Sequence, residues 1–270
     1  MIWLGPAGIP TVSKDSSTLV GIEVVSELKL NAMEIEFVRG VKMSNELAKE
    51  CGKVAKELNI KLSVHAPYFI NLSSAEKLKI KQSKKRILDS VERAHLMNAD
   101  VIVFHPGYYG KLSPEETYEM IKEGCEDLVD IIKSKGWNVR LGLETTGKLS
   151  QFGTLDEIIR IHKKLKLCVP VVDFSHMLAR QQGKIDYGKI LNKLKALKLK
   201  HYHTHFSGIE FSEKGERRHL TIDNEQPPFK PLAKEILKKK INITIISESP
   251  VLEQDSLIMK KTFEELGYKS

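Results

Sequence analysis

A chain of 270 residues, 41% of them hydrophobic, holds enough apolar material for a sizeable core, which excludes a disordered protein. Forty-three Lys and Arg against 35 Asp and Glu leave a net charge of +8, which suits a polyanionic partner but equally the Lys- and Glu-rich surface common in heat-tolerant proteins. No run approaches the roughly 18 apolar residues of a membrane span, and Met1-Ile2-Trp3-Leu4-Gly5-Pro6 is no secretory leader, so a cytoplasmic protein without a membrane partner is expected.

In chain order, short β-rich segments recur at Ile2–Leu4, Ala32–Val38, Lys61–His65, Val101–His105, Arg140–Glu144, Cys168–Phe174, His201–Phe206 and Ile241–Glu248. A segment with apolar residues at a 3.6-residue period follows each one, and the strands are apolar in the way of strands covered on both faces. Ser113-Pro114-Glu115-Glu116 joins a capping box to a proline at the first helical position, where its missing N–H is not needed. Ser73-Ser74-Ala75-Glu76 and Thr154-Leu155-Asp156-Glu157 repeat the signature and predict two more helix starts. Eight such units without a linker predict one α/β domain over residues 1–270, a single (β/α)8 TIM barrel. The longest stretch with no predicted element runs from Ser207 to Pro228, and long loops in compact domains are often functional. Lys77, Lys79, Lys81, Lys84, Lys85 and Arg86 form either a DNA-facing stripe or the solvated side of a helix. Cys51, Cys125 and Cys168 lie far apart with no CxxC pairing and read as reduced core thiols.

Polar residues close six successive strands. His65 ends the third, His105 the fourth, Glu144 the fifth and Asp173 the sixth, with His176 three residues on; His205 ends the seventh and Glu248 the eighth. This carboxyl-end rim is where barrel active sites are assembled. Buried carboxylates are costly without compensation, and cations held by imidazole and carboxylate are the simplest one. A lone histidine at a strand end is usually a hydrogen-bonded core residue; six strands ending alike point to metal. His95 and His162 fall inside predicted helices and read as structural. His201, His203 and His205 share one face of their strand, and whether His203 or His205 is the ligand stays open. Counting donors, His65, His105 and Glu144 can hold one ion, and Glu144, Asp173, His205 and Glu248 a second bridged through Glu144. His176 and His219 remain for part of a third. Two bridged cations about 3.5–4 Å apart activate a shared water and clamp the oxygens of a displacement at phosphorus. That chemistry needs no protein nucleophile, and no Gly-x-Ser-x-Gly or P-loop motif is present.

The segments His65-Ala66-Pro67-Tyr68-Phe69-Ile70-Asn71-Leu72, Phe104-His105-Pro106-Gly107, Leu143-Glu144-Thr145-Thr146, Asp173-Phe174-Ser175-His176 and Ser247-Glu248-Ser249-Pro250 occur in one order across most of the chain. Together they resemble the signatures of endonuclease IV, the zinc-dependent apurinic/apyrimidinic endonuclease. The resemblance implies a multi-zinc site, of two or three ions with manganese as an alternative metal. It implies hydrolysis of the phosphodiester 5′ to an abasic site in damaged double-stranded DNA, leaving a 3′-hydroxyl, with the sugar flipped into the pocket. By position it implies a first zinc on His65, His105 and Glu144, and a second on Glu144, Asp173, His205 and Glu248. The bridged pair would hold the attacking hydroxide, with Glu144 and Glu248 as catalytic residues. It implies a third zinc on His176 and His219, and DNA contacts from Tyr68 and Asn71; a monomer without an obligate protein partner is expected.

Two departures mark a divergent member. The family's Asp-Arg-His motif reads Arg217-Arg218-His219 here. That leaves three alternatives: Glu216 as the substitute ligand, a weak or absent third ion, or Arg217 as a guanidinium contact to phosphate oxygens in the DNA. The opening segment Trp3 to Gly8 also lacks the family's histidine. The main rival is a metal-dependent sugar isomerase or epimerase of the same barrel group, whose Glu, Asp, His, Glu set Glu144, Asp173, His205 and Glu248 would match. Such an enzyme has little use for His65, His105, His176 and His219, so the sequence favours the nuclease. A DNA-lesion binder with a decayed site is a third reading, opposed by the intact Glu144 and Glu248.

Overall fold

The computed structural model describes residues 1–269 and forms a strand at each of the eight expected segments, the first running two residues past the expected Leu4. They span Ile2–Pro6, Ala32–Glu36, Lys61–His65, Val101–Phe104, Arg140–Glu144, Cys168–Asp173, Tyr202–Phe206 and Ile243–Ser247. Neighbours in the chain pair in parallel, and the first strand pairs with the eighth, so that the sheet curls into a nearly closed barrel surrounded by helices.

The seam lies between the first and second strands. Gly8 N–H donates to the Glu34 carbonyl at 2.9 Å and Asn31 N–H to the Leu4 carbonyl at 3.1 Å. The Asn31 side chain supplies a further rung, its Oδ1 accepting from Leu4 N–H at 2.7 Å. A Cβ at Gly5 would stand 1.6 Å from the Ala32 carbonyl oxygen, so the two strands come this close only because position 5 has no side chain.

Because side chains alternate along a strand, each strand sends one set of residues to the helices and the other into the barrel. Ile102 and Phe104 join the large cluster beneath the helices, while Val101, Val103, Val169 and Val171 pack together inside. His105 and Asp173 continue that inward parity, which is why strand ends that begin as valine finish as ligand-type residues at the rim.

Two of the three predicted capping boxes form. Ser113 Oγ accepts from Glu116 N–H and Thr154 Oγ1 from Glu157 N–H, while each glutamate returns to its cap. The third predicted helix start is corrected: the helix begins at Lys77, and the preceding serines build a turn instead. Ser73 Oγ bonds the Tyr108 carbonyl at 2.8 Å and Asn71 Oδ1 at 3.0 Å, and Ser74 Oγ accepts from Glu76 N–H. The stretch from Ser207 to Pro228 is likewise not irregular. It holds an antiparallel ribbon, Gly208–Ser212 with Gly215–Leu220, and a 3-10 turn at Ile222–Asn224.

His95 and His162 lie on helices, the latter buried with Nδ1 2.7 Å from the Cys168 carbonyl. Much of the lysine stripe is spent internally: Lys79 pairs with Glu76, Lys84 with Asp127 and Lys85 with Asp89, and Arg86 donates to the Phe69 carbonyl. The three cysteines are buried and free. No helix among the described residues is long and apolar enough to cross a membrane.

Gly5→Ala tests the seam. The added methyl group is expected to cost about 3 kcal/mol or more, lowering Tm by roughly 6–12 °C for a chain of this size. An unchanged melting curve would show that the seam opens freely.

Candidate metal centre

The rim residues converge on one carboxylate. Glu144 is fully buried at the end of the fifth strand. Its Oε2 lies 2.9 Å from His105 Nε2 and 3.3 Å from His65 Nε2. Its Oε1 lies 3.1 Å from His205 Nδ1 and 3.3 Å from His176 Nδ1. Glu248 Oε1 approaches His205 Nδ1 from the other side at 3.2 Å. Among the described residues, ligand-type atoms within 4.8 Å of one another form four groups: at the rim His65–His105–Glu144, Glu144–Asp173–His205–Glu248 and Asp173–His176–His219–Glu248, and beneath it Glu34–His203–His205. Of the three rim groups, Glu144 belongs to the first two, and Asp173 and Glu248 to the last two.

The surroundings aim these donors. His65 Nδ1 donates to the Ala66 carbonyl at 2.8 Å and His176 Nδ1 to the Thr145 carbonyl at 2.9 Å, so that Nε2, facing the site, is the nitrogen each ring would free on losing a proton to a metal. His219 Nδ1 is held 2.6 Å from Ser207 Oγ, turning its Nε2 toward Glu248. Asp173 caps the helix Phe174–Arg180 through Oδ1, which accepts from His176 N–H at 2.8 Å, while its Oδ2 lies 3.6 Å from His176 Nδ1 without a hydrogen bond. Asp173 Oδ2 and His176 Nε2 are buried without an aligned hydrogen-bond partner, the condition a coordinated cation relieves.

Electrostatics reinforce the fit. Burial pushes the Asp173 carboxyl up to about 6. Burial also works to raise Glu144, but His105 and His205 outweigh it and hold that carboxyl well below its usual range. Desolvation opposes charge on His65, yet Glu36 and Glu144 carry its pKa up to about 10; His176 and His205 are likewise raised well above the ordinary value. Without cations, protons on these rings balance the carboxylates; divalent cations would take their place.

The third corner shows how the chain departs from Asp-Arg-His. In the ribbon, Glu210 pairs with Arg218 but Phe211 pairs with Glu216, so Arg217 is an extra, bulged residue. Residues two apart normally share a strand face; the bulge lets Glu216 and His219, three apart, face the same side. Glu216 Oε2 stands 3.4 Å from His176 Nε2, and the His176 and His219 ring centroids are 5.2 Å apart. Gly147 makes room, since a Cβ there would lie 2.6 Å from Glu216 Cβ. Arg217 and Arg218 turn outward, their guanidinium groups on Glu210 at 2.9 and 2.7 Å.

The mouth above the cluster is a cavity of about 570 Å³, with Tyr68, Tyr108, Lys148 and Glu36 on its walls. Tyr68 is 59% exposed, its ring centroid 5.8 Å from that of His65. Asn71 is placed elsewhere: its Oδ1 accepts from Ser73 N–H and Oγ inside the loop, which bends close over Gly107. Arg217 also does not line the mouth. His205 reaches the rim cluster, and His203 lies one layer below it against Glu34.

Two acids were missed in the sequence. Glu34 and Glu36 point inward from the second strand; Glu34 Oε2 meets His203 Nε2 at 2.8 Å, and burial pushes Glu36 up to about 8. Their spacing in Met33-Glu34-Ile35-Glu36, charge alternating with apolar side chains, was the available signal.

Comparison with known proteins fits this picture. A family described as xylose isomerase-like TIM barrel matches residues 22–265. The chain belongs to the xylose isomerase-like TIM barrel family. It is 37% identical to an uncharacterized protein of Methanocaldococcus jannaschii over 98% of both chains. It is 30% identical to the probable endonuclease 4 of Mycoplasmopsis synoviae over 70% of this chain and 69% of the relative, a divergent kinship with the endonuclease 4 proteins. Among solved structures, endonuclease IV from Thermus thermophilus superposes with TM-score 0.72 at 18% identity, covering 97% of this chain and 99% of that one. A D-tagatose 3-epimerase-like protein superposes with TM-score 0.72 at 20% identity, covering 92% and 94%. At these identities the superpositions establish the barrel, and the reaction has to be argued from this family member's own site.

Metal uptake is expected to release protons, because ligating rings must lose theirs, and affinity should fall as pH falls. At free zinc about 100 times Kd, binding adds about 2.7 kcal/mol of stability that a chelator removes. Calorimetry in buffers of different ionisation heat checks the first; a proton-free, pH-independent uptake would contradict it.

Proposed function

We propose that the protein is a metal-dependent phosphodiester hydrolase that cuts double-stranded DNA on the 5′ side of an abasic site and leaves a 3′-hydroxyl, acting as a single-domain cytoplasmic monomer. One observation carries the reading. Beyond Glu144, Asp173, His205 and Glu248, the set a sugar epimerase of this barrel group would need, the rim adds His65 and His105 on one flank and His176, His219 and Glu216 on the other. Donors for several adjacent cations suit a displacement at phosphorus, where charge develops on more than one oxygen, and are surplus to moving a proton on a sugar.

Zinc or manganese ions bound there would lower the pKa of a shared water and draw charge from the phosphoryl oxygens. The chain's own groups do the rest. Glu144 sits between the two flanks and sets their separation, and Glu248 links His205 to the third corner. The exposed Tyr68 ring offers a stacking surface at the mouth for a displaced base or sugar. Among the described residues lining the mouth, Lys148 is the one lysine or arginine, a point charge suited to a backbone phosphate.

Purified protein supplied with zinc or manganese is expected to incise a duplex with a single abasic site and to leave ketoses unchanged. Epimerisation without incision would overturn the reading. Glu144→Gln is expected to lower incision by more than roughly 100-fold, since even supporting groups around a metal cost 10–100-fold. Lys148→Ala is expected to weaken duplex binding and to reduce the slope of log affinity against log salt by about one, measured by fluorescence anisotropy. A salt-independent affinity in the parent protein would point to a small neutral substrate.

A further inference from the structure

Beneath the rim lies a buried polar group, Glu34, His203 and His205, whose ligand-type atoms also lie within 4.8 Å of one another. Glu34 rises from the second strand into the barrel interior with no exposed surface. Its two oxygens face two histidines of the seventh strand: Oε2 lies 2.8 Å from His203 Nε2, hydrogen-bonded, and Oε1 lies 2.8 Å from His205 Nε2. His203 and His205 are buried along with it. Glu34 Oε1 and His205 Nε2 make no aligned hydrogen bond to any group, yet at 2.8 Å each is the other's nearest polar counterpart.

The other histidines show what such a counterpart decides. His65 and His176 give their Nδ1 protons to backbone carbonyls and turn Nε2 to the site. His205 is reversed: its Nδ1 faces Glu144 and Glu248 at 3.1 and 3.2 Å, and no carbonyl is bonded to its far nitrogen. A neutral imidazole carries one proton, and the nitrogen that keeps it cannot ligate.

We infer that Glu34 is a positioning residue that holds the proton of His205 on Nε2 and so presents Nδ1 to the Glu144–Asp173–Glu248 group, with His203 anchoring the carboxylate from its other oxygen. A buried carboxylate is costly unless paired, so Glu34 requires both rings in return. Glu34 touches neither substrate nor cation; it acts through His205. The inference rests on the metal reading of the rim and is independent of the substrate.

Zinc alone is the probe. Competition with a chromophoric chelator gives stepwise zinc affinities for the full chain, and two-bond proton–nitrogen spectra of histidine-labelled protein report which ring nitrogens are protonated. Zinc-loaded parent protein should show His205 protonated at Nε2 with Nδ1 shifted by the metal; the reverse pattern overturns the inference, and this measurement stands even if a variant fails to fold. Glu34→Met, which fills the space without an acceptor, should weaken one zinc step 10–100-fold. Glu34→Gln, which keeps an acceptor oxygen, should recover most of that loss. A merely structural role would lower Tm in both variants and leave the zinc steps and the His205 pattern unchanged, which also overturns the inference. An extra zinc ion lost with Glu34 and His203 would show the trio to be a ligand set instead, and overturn it as well. Parent protein that takes up no zinc sinks the metal reading itself; parent protein that takes up zinc with these variants unaffected sinks this inference alone.

Discussion

A carboxylate with no exposed surface, Glu144, surrounded by four imidazole rings within 3.3 Å, is the interaction on which the rest of the site depends. Taking a carboxylate and several imidazoles out of water together is tolerable only if charge is matched at close range. Protons on the rings provide one match, and divalent cations held by the same donors would provide another. The architecture follows from this need. A parallel barrel gathers eight strand ends in one ring, so residues distant in the chain reach a common carboxylate without long loops.

The barrel interior is layered by the same logic. At the rim stand His65, His105, Glu144, Asp173, His205 and Glu248; two residues deeper along the strands stand Ser63, Val103, Gly142, Val171, His203 and Ile246, joined by Glu34. The valines and Gly142 close the interior below the site, where a Cβ at Gly142 would strike Val101 and Val171 at under 3 Å. Glu34 and His203 are the charged exception in that layer, and they are the groups in contact with His205 from below. Support for the site therefore comes from the core and from hydrogen bonds to Ala66, Thr145 and Ser207 just outside it.

Much of this was legible in the amino-acid sequence, because period-two alternation ties the face of a strand end to the residues before it. Val101 and Val103 lead to His105, and Val169 and Val171 to Asp173, so inward parity could be carried to the rim. What escaped depends on register and depth. Glu34 and Glu36 sit in a strand whose other residues are apolar, and only their placement in the closed barrel shows which imidazoles they meet. Glu216 was legible as one of three alternatives at the third corner, but the one-residue bulge that brings it beside His176 was not. Ser73 carried a capping signature that its bonds to Tyr108 and Asn71 overrode, and the ribbon at Gly208–Leu220 lacked the strong apolar pattern of a core strand.

The central proposal is that Glu144 would be shared between two adjacent divalent cations. Anomalous scattering at the zinc edge, from crystals grown with zinc, tests it most directly. The account predicts two peaks flanking Glu144 about 3.5–4 Å apart, one toward His65 and His105 and the other toward Asp173, His205 and Glu248. A single peak confined to the Asp173 side, or none at all, would contradict it.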